Sequence, residues 1–352
     1  MPSDEFFMKK ALRFASKGKG LVEPNPLVGC IITKNNKTIS QSFHQSFGKP
    51  HAEILALKKS GKKSKGATLY VNLEPCSHFG KTPPCTNAIV KARITRVVIA
   101  TTDPNPKAKG GTTTLRKAGI KVKTGVLKKQ AEKLNKSFFE RVKQKKPFLI
   151  LKAATSSNGF MTSNNPEDPR WISNKKSRKK AHELRAQCNA ILVGVGTILA
   201  DNPKLSCRIQ EKHKQPLRVI LDSTLQSPLN AKVFADNNVL VATTKKADKK
   251  KKKLLEKKGV KVVVLPSSTK REVSLKKLLG CLFELGIESV LVEGGPAVHK
   301  GFLEKKLADR LVVFKAKKKI KRGKKFPLNL KKIKWDKKTK LDSDTMLEKN
   351  IS

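Results

Sequence analysis

Residues 50–57 of this 352-residue chain read PHAEILAL, and residues 74–85 read EPCSHFGKTPPC. The whole chain has six histidines and six cysteines, so one histidine and two cysteines in these two stretches carry information. His51, Cys76 and Cys85 offer one imidazole and two thiols, donor types that zinc prefers. A catalytic zinc site takes three protein ligands and leaves the fourth position to water, and two thiolates cancel the charge of the ion. Glu53 stands two residues after His51. In a helix interior such a pair faces different ways, but in the first turn after Pro50 both side chains can reach a point beyond the helix N-terminus. A carboxylate placed there can take a proton from water and later deliver it to a leaving amine. Cys76 follows a strand end and Pro75, and Cys85 follows TPP at a helix start, so both lie at element termini that can converge. Two other readings use the same residues. In one, the cysteines are buried free thiols with His51 on a surface turn. In the other, a structural zinc takes Cys30, His44 or His78 as its fourth ligand. Cys30, inside VGCII, fits a core strand better.

Outward from these stretches, NPLVGCIIT (25–33), GATLYVNLEP (66–75) and RVVIATTDP (96–104) read as strands. HAEILALKKSG (51–61), CTNAIVKAR (85–93) and the end of GGTTTLRKAGI (110–120) read as helices. This alternation predicts an α/β layer with parallel pairing. At the start, Ser3 is the expected N-cap of a first helix, with Phe6, Phe7, Ala11 and Phe14 on or near one face and Gly18 and Gly20 closing it. After a lysine-rich joint at 137–147 a second series follows: PFLILKAATS (147–156), HELRAQCNAILVGVGTILADNP (182–203), LRVILDS (217–223), NVLVATT (238–244), VKVVVLP (260–266) and ESVLVEGGPAVHKGFLEKKLADRLVVF (288–314). Its unbroken Val/Ile/Leu runs predict buried central strands. Two domains are expected, 1–146 and 147–345. Beyond about residue 316 lysines dilute the pattern and leave the tail unassigned.

No apolar run approaches the roughly 18–20 residues that cross a bilayer, and the acidic N-terminus lacks the apolar core of a secretory signal. Six cysteines without regular spacing suit a reducing cytosol, so a cytoplasmic protein is expected. The net charge is +51, yet only 5% of residues are aromatic. Lysine runs such as KKADKKKKKLLEKK (245–258) have no aromatic interleaving and no nucleic-acid-binding signature. A solvated surface enriched in lysine fits this pattern better than a functional electrostatic role, such as drawing in phosphorylated substrates, and a nucleic-acid partner is not expected.

The H-x-E…P-C…C arrangement resembles the zinc-dependent cytidine/deoxycytidylate deaminase superfamily, whose three-layer fold removes amino groups from heterocyclic rings by hydrolysis. Most of that superfamily has P-C-x-x-C, whereas eight residues separate Cys76 from Cys85. NPLVGCI, HAE and LEPCSHFGKTPPC together, through DPNP (103–106), resemble the riboflavin-biosynthesis deaminase branch, in which the longer loop is usual. The resemblance implies Zn²⁺ on His51, Cys76 and Cys85 and Glu53 as the catalytic proton shuttle. The implied substrate is 2,5-diamino-6-(5-phosphoribosylamino)pyrimidin-4(3H)-one, with Asn25, His44, His78 and Lys81 as candidates for holding ring and phosphoribosyl group.

In the second series no GxGxxG follows a strand. Glu293 instead ends an apolar run and leads into Gly294, Gly295, Pro296 and a helix, whose free N–H groups could bind phosphate. With LRAQCNAILVGVGTILADNPKLSCR and VILDS, this resembles the riboflavin-biosynthesis reductase domain, a dihydrofolate-reductase-like α/β fold that uses NADPH. The implied reaction reduces the ribosyl group of 5-amino-6-(5-phosphoribosylamino)uracil to ribityl. Cofactor positions map onto Ala154, Trp171, Thr197, Asp201, Ser223 and the loop Gly295, Pro296, Ala297, Val298, His299, Lys300 and Gly301. Substrate positions map onto Arg185, Leu205, Arg208 and Glu293, the two arginines as bidentate clamps for a sugar phosphate. The chain departs from that pattern at Asn158, where an acid is usual, at Phe160, where a base is usual, and at Pro169, where a small polar residue is usual. Both related folds commonly pair subunits, so a homo-oligomer is expected. Two rivals remain at this point, a nucleic-acid deaminase and a structural-zinc protein without activity.

Overall fold

In the computed structural model the described residues are 2–351, apart from 20, 23, 79–82, 107, 166–167, 169–170, 210–214 and 270–271. Packing separates two units, Met1–Gln144 and Lys145–Ser352. The first runs α1 (Asp4–Ser16), β1 (Gly29–Lys34), β2 (Lys37–Phe43), α2 (Ala52–Ser60), β3 (Thr68–Leu73), α3 (Cys85–Lys91), β4 (Arg96–Thr101), α4 (Gly111–Lys117), β5 (Lys121–Thr124), α5 (Lys128–Leu134) and α6 (Lys136–Lys143). Its sheet has the order β2-β1-β3-β4-β5. Because side chains alternate across a strand, Cys30, Ile32, Leu69, Val71, Val97 and Ile99 pack on α2, α3 and α4. Ile31, Tyr70, Val98 and Ala100 turn the other way, onto α1 and α5. Three layers result.

Parallel pairing holds only for β3, β4 and β5; β1 is antiparallel to both β2 and β3. The cause is a hairpin that hydropathy does not reveal. Asn35 and Asn36 both take positive φ, 50° and 60°, the tight two-residue turn that joins neighbouring antiparallel strands. Ser3 does cap α1, its hydroxyl accepting the Phe6 N–H. The buried face of α1 is Phe7, Met8, Ala11 and Ala15, while Phe6 is 45% exposed. The helix ends at Ser16, before Gly18.

The second unit runs β6 (Phe148–Thr155), α7 (Lys175–Gln187), β7 (Ala190–Gly194), α8 (Val195–Asp201), β8 (Leu217–Leu221), β9 (Val239–Thr243), α9 (Lys249–Lys257) and β10 (Lys261–Val264). It continues with a short hairpin, β11 (Ser267–Thr269) and β12 (Glu272–Val273), then α10 (Leu275–Glu284), β13 (Ser289–Val292), α11 (Pro296–Glu304), β14 (Arg310–Lys315), β15 (Lys337–Leu341) and β16 (Asp344–Asn350). The large sheet has the order β10-β9-β8-β7-β13-β6-β14-β16-β15. From β10 to β14 every pairing is parallel, and β16 and β15 complete the sheet in antiparallel fashion. One face is sealed by Leu275, Leu278, Leu279 and Leu282 of α10 and Phe302 of α11. The other takes Ala181 and Leu184 of α7, Ile198 of α8 and Leu255 of α9. The apolar runs are thus buried on both sides, as expected of parallel strands. One exception is β10, an edge strand with Lys261 and Val264 exposed. The unassigned tail supplies β15 and β16.

Candidate functional sites

Three element ends meet in the first unit. His51 occupies the N-cap position of α2 with extended backbone, φ −69° and ψ 165°, so its side chain projects beyond the helix start. Cys85 is the first residue of α3. Cys76 lies just past β3, in a turn held by Glu74. The buried Glu74 carboxylate accepts the N–H of Thr112 at 2.8 Å and that of Asp103 at 3.2 Å, tying the turn to the start of α4 and to the loop after β4. Gly111 makes the fit possible, since a Cβ there would lie 1.8 Å from the Pro75 carbonyl oxygen. Gly111→Ala is therefore expected to destabilise this unit by about 2–3 kcal/mol, the order of an overpacked core. It should also shift the turn carrying Cys76, so zinc retained per chain after dialysis would fall with the melting temperature.

The ligand atoms of His51, Cys76 and Cys85 lie within 4.8 Å of one another. His51 Nδ1 is 3.2 Å from Cys85 Sγ and 3.7 Å from Cys76 Sγ. The Cys85 backbone N–H points at Cys76 Sγ across 3.4 Å. Hydrogen bonding from Cys85, and then from His51, holds the Cys76 thiol well below its usual range, while sharing with Cys76 and burial push Cys85 up. Glu53 is 3% exposed, and its Oε2 has no hydrogen-bond partner. A buried carboxylate oxygen left unpaired calls for a functional reason. Burial raises the Glu53 pKa, against the pull of His51. Donor set, spacing and orphaned oxygen all fit a three-ligand zinc centre with a proton carrier beside it.

Of the four residues considered for substrate, His44 is 2% exposed and stacks edge-on against His51 with ring centroids 5.3 Å apart. Its Nδ1 donates to the Pro50 carbonyl at 3.2 Å, and its Nε2 accepts from Asn25 Nδ2 at 3.0 Å. Burial, with His51 adding, lowers its pKa to about 4 and keeps the ring neutral. His44 and Asn25 thus stand as a bonded pair beside His51. His78 is exposed, and Lys81 lies outside the described residues. Cys30 is a fully buried core residue of β1.

In the second unit, Ala154, Glu293, Thr197 and Ser223 lie at or beyond the C-terminal ends of the adjacent parallel strands β6, β13, β7 and β8. Open α/β sheets bind ligands at that end. Gly295 caps α11 with Pro296 in its first turn, and a Cβ on Gly294 would meet Val298 Cβ at 2.7 Å. Within the expected cofactor loop, Ala297 and Lys300 are exposed, and Lys300 pairs with Glu304. His299 is fully buried, its ring nitrogens each 3.2 Å from the carbonyls of Gly295 and Lys152, so only its main chain can face a ligand. Asp201 is exposed at the end of α8. Trp171 is 54% exposed and lies over Arg178, 5.2 Å from the ring centroid.

Arg185 departs from the expected clamp. Its Nε and Nη2 are bound to the two Glu293 oxygens at 2.9 and 2.6 Å, and Nη1 donates to the Ser206 carbonyl at 3.0 Å. The fork that would grip a phosphate is taken by a carboxylate. Burial works against the charge on Glu293, but Lys152, Arg185 and the bidentate bonds outweigh it and hold the carboxyl at about 2. Leu205, with φ 52°, is 4% exposed, and Arg208 is exposed. Sequence reasoning missed Lys152, a half-buried cation on β6 whose pKa burial lowers. Its signal was a lone lysine inside FLILKAAT. Also missed was the turn-holding role of Glu74, hidden at a strand end. The departures at Asn158 and Phe160 fit the fold. Asn158 exchanges hydrogen bonds with both backbone groups of Ile320, and Phe160 bridges to Lys325. Pro169 lies outside the described residues.

A family model for the cytidine and deoxycytidylate deaminase zinc-binding region matches residues 1–101, and one for the RibD C-terminal domain matches residues 147–319. The riboflavin biosynthesis protein RibD of Aquifex aeolicus is 45% identical over 316 residues, spanning 90% of this chain and 87% of that protein. This chain belongs to the RibD family. Among solved structures, RibD of Acinetobacter baumannii shares 33% identity and a TM-score of 0.68 over 98% of each chain. The Thermotoga maritima diaminohydroxyphosphoribosylaminopyrimidine deaminase/5-amino-6-(5-phosphoribosylamino)uracil reductase shares 38% identity and a TM-score of 0.65, over 98% of this chain and 97% of that one. As a member of the RibD family the protein is a bifunctional enzyme of riboflavin biosynthesis, with a cytidine-deaminase-like N-terminal domain and a C-terminal RibD reductase domain. No helix among the described residues is long and apolar enough to cross a membrane.

Proposed function

We propose that this RibD deaminates 2,5-diamino-6-(5-phosphoribosylamino)pyrimidin-4(3H)-one through residues 1–146. Residues 147–345 then reduce the ribosyl group of the product with NADPH. The carrying observation is the convergence of His51 Nδ1 and two thiol sulfurs within 4.8 Å, beside a buried carboxylate oxygen that nothing else binds. His51, Cys76 and Cys85 would hold zinc, which when bound supplies a Lewis acid that makes water nucleophilic at neutral pH. Glu53 takes the proton from that water and delivers it to the departing amino nitrogen; a C–O bond forms, the C–N bond breaks, and ammonia leaves. Its raised pKa suits the task, since a base must hold the proton between the two transfers. Asn25, His44, His78 and Lys81 are the candidates for holding the ring and the phosphoribosyl group, with Asn25 and His44 already bonded to each other beside His51.

In the reductase, NADPH would supply hydride to C1 of the open-chain sugar. Ala154, Thr197, Ser223 and the N–H groups opening α11 border the cofactor, with Trp171 and Asp201 at its rim. Glu293, fixed by Arg185 and faced by Lys152, borders the sugar, and Arg208 takes the phosphate. The enzyme is cytoplasmic and homo-oligomeric on this reading, and its sparse, irregularly spaced cysteines suit reducing conditions. The purified chain should release ammonia from the diaminopyrimidine ribotide without NADPH, and consume about one NADPH per ammonia once it is added. Ammonia release without nicotinamide oxidation would remove the second half of the proposal.

A further inference from the structure

Beside the Arg185–Glu293 pair sits a histidine that neither activity has yet used. His182 of α7 faces Arg208, whose main-chain N–H donates to His182 Nδ1 at 3.2 Å and whose Nη2 lies 3.2 Å from His182 Nε2. A backbone N–H can only donate, so Nδ1 is an acceptor without a proton. Burial, then Arg185 and Arg208, lower the ring's pKa to about 4, so it is neutral at neutral pH and its one proton sits on Nε2. Two donors, Nε2–H and a guanidinium N–H, therefore face each other across 3.2 Å. Such a contact is unfavourable in itself and becomes favourable when one oxygen accepts from both. Arg208 has no carboxylate partner among the described residues, unlike Arg185. The Cys207 thiol, donating to the His182 carbonyl at 3.4 Å, fixes the loop under the ring.

We propose that His182 is a substrate-contacting, specificity-determining residue of the reductase, sharing one phosphate oxygen of the 5′-phosphomonoester with Arg208. This rests on the reading above, in which the reductase substrate is a sugar phosphate held at Arg208. An imidazole donor in place of a third arginine adds a directed hydrogen bond without another buried charge. It thereby favours an oxygen placed between ring and guanidinium over a free hydroxyl at the same carbon.

The test compares kcat/KM for 5-amino-6-(5-phosphoribosylamino)uracil with kcat/KM for the corresponding riboside, in the full-length chain with NADPH saturating. The ratio of the two does not depend on how much of a preparation is folded. His182→Phe is expected to lower this ratio about 10–100-fold, the scale of one lost hydrogen bond to a charged group. His182→Gln, which keeps an N–H donor at similar reach, should restore it to within about threefold. An unchanged ratio in His182→Phe with a collapsed ratio in Arg208→Ala overturns the role of His182 and leaves the phosphate reading standing. Unchanged ratios in both variants overturn the phosphate reading, and the role of His182 with it. Equal losses with Phe and Gln would make the ring a structural support and also overturn the proposal.

Discussion

Glu53→Gln is expected to lower ammonia release by about 10³-fold or more while zinc remains bound at one ion per chain. The amide keeps the shape and can still touch water, but it cannot accept a proton and pass it on, and that transfer accounts for about 10²–10⁴ of an enzyme's rate. The three ligands are other side chains, His51 at the N-cap of α2, Cys76 after β3 and Cys85 opening α3, and none is altered, so the metal should stay. Stability should not suffer. Glu53 is 3% exposed and burial disfavours its charge, so a neutral amide costs less in desolvation than the carboxylate. Reduction of independently supplied deaminated substrate should proceed at the unmodified rate, because that chemistry belongs to the other unit. Parallel measurement of ammonia, bound zinc and NADPH oxidation checks all three points. Turnover that persists in the variant removes the proton-carrier role; lost zinc makes Glu53 a support of the metal instead.

Arg185→Met should destabilise the reductase unit by about 3 kcal/mol, the lower end of the cost of breaking a buried ion pair from one side. The side chains of Arg185 and Glu293 are 15% and 7% exposed, so removing the guanidinium leaves a carboxylate with little water to turn to. Lys152 still faces it, which keeps the loss at the lower end. The pH dependence gives the experiment its direction. Glu293 has a folded pKa of about 2 against an ordinary 4.5, so its contribution is fully present above about 4.5 and is lost as pH falls toward 2. In the variant that depression shrinks, so the stability difference from the parent should be constant above about pH 4.5 and narrow as pH falls below it. Denaturant melts of the full chain at neutral pH and inside that window, at about pH 3.5, test this. A gap that stays constant with pH would mean that Arg185 acts by packing alone. NADPH-dependent turnover should fall as well if Glu293 borders the sugar as proposed above.

The deaminase centre was legible because its parts are scarce. Six histidines and six cysteines cannot fall by accident into H-x-E, P-C and a helix-opening cysteine, and the elements that carry them announce their ends with proline. Reductase residues are arginine, lysine and glutamate in a chain with 78 basic residues, so rarity gave no help. The bidentate hold of Glu293 on Arg185 and the facing of His182 and Arg208 arise from contacts between α7, β13 and the loop at 203–209, a relation that no spacing encodes. Strand direction was equally hidden. Alternation in KTISQSF is mostly polar, so β2 left no hydrophobic trace, and only Asn35-Asn36 marked the hairpin that makes β1 antiparallel. At the other end of the chain, β15 and β16 escaped notice because lysines fill the outer strand.

Those outer lysines have a use of their own. Sheet margins are the places where a polypeptide can template the misassembly of its neighbours. Among the described residues, the outer strands of the two larger sheets all carry ammonium groups: Lys37 on β2, Lys121 and Lys123 on β5, Lys261 on β10, and Lys337, Lys338 and Lys340 on β15. A second copy approaching edge to edge would bring the same cations against them, with few acids on either side to neutralise the contact. Part of the +51 charge thus lies where like charges oppose the edge-to-edge pairing of two copies.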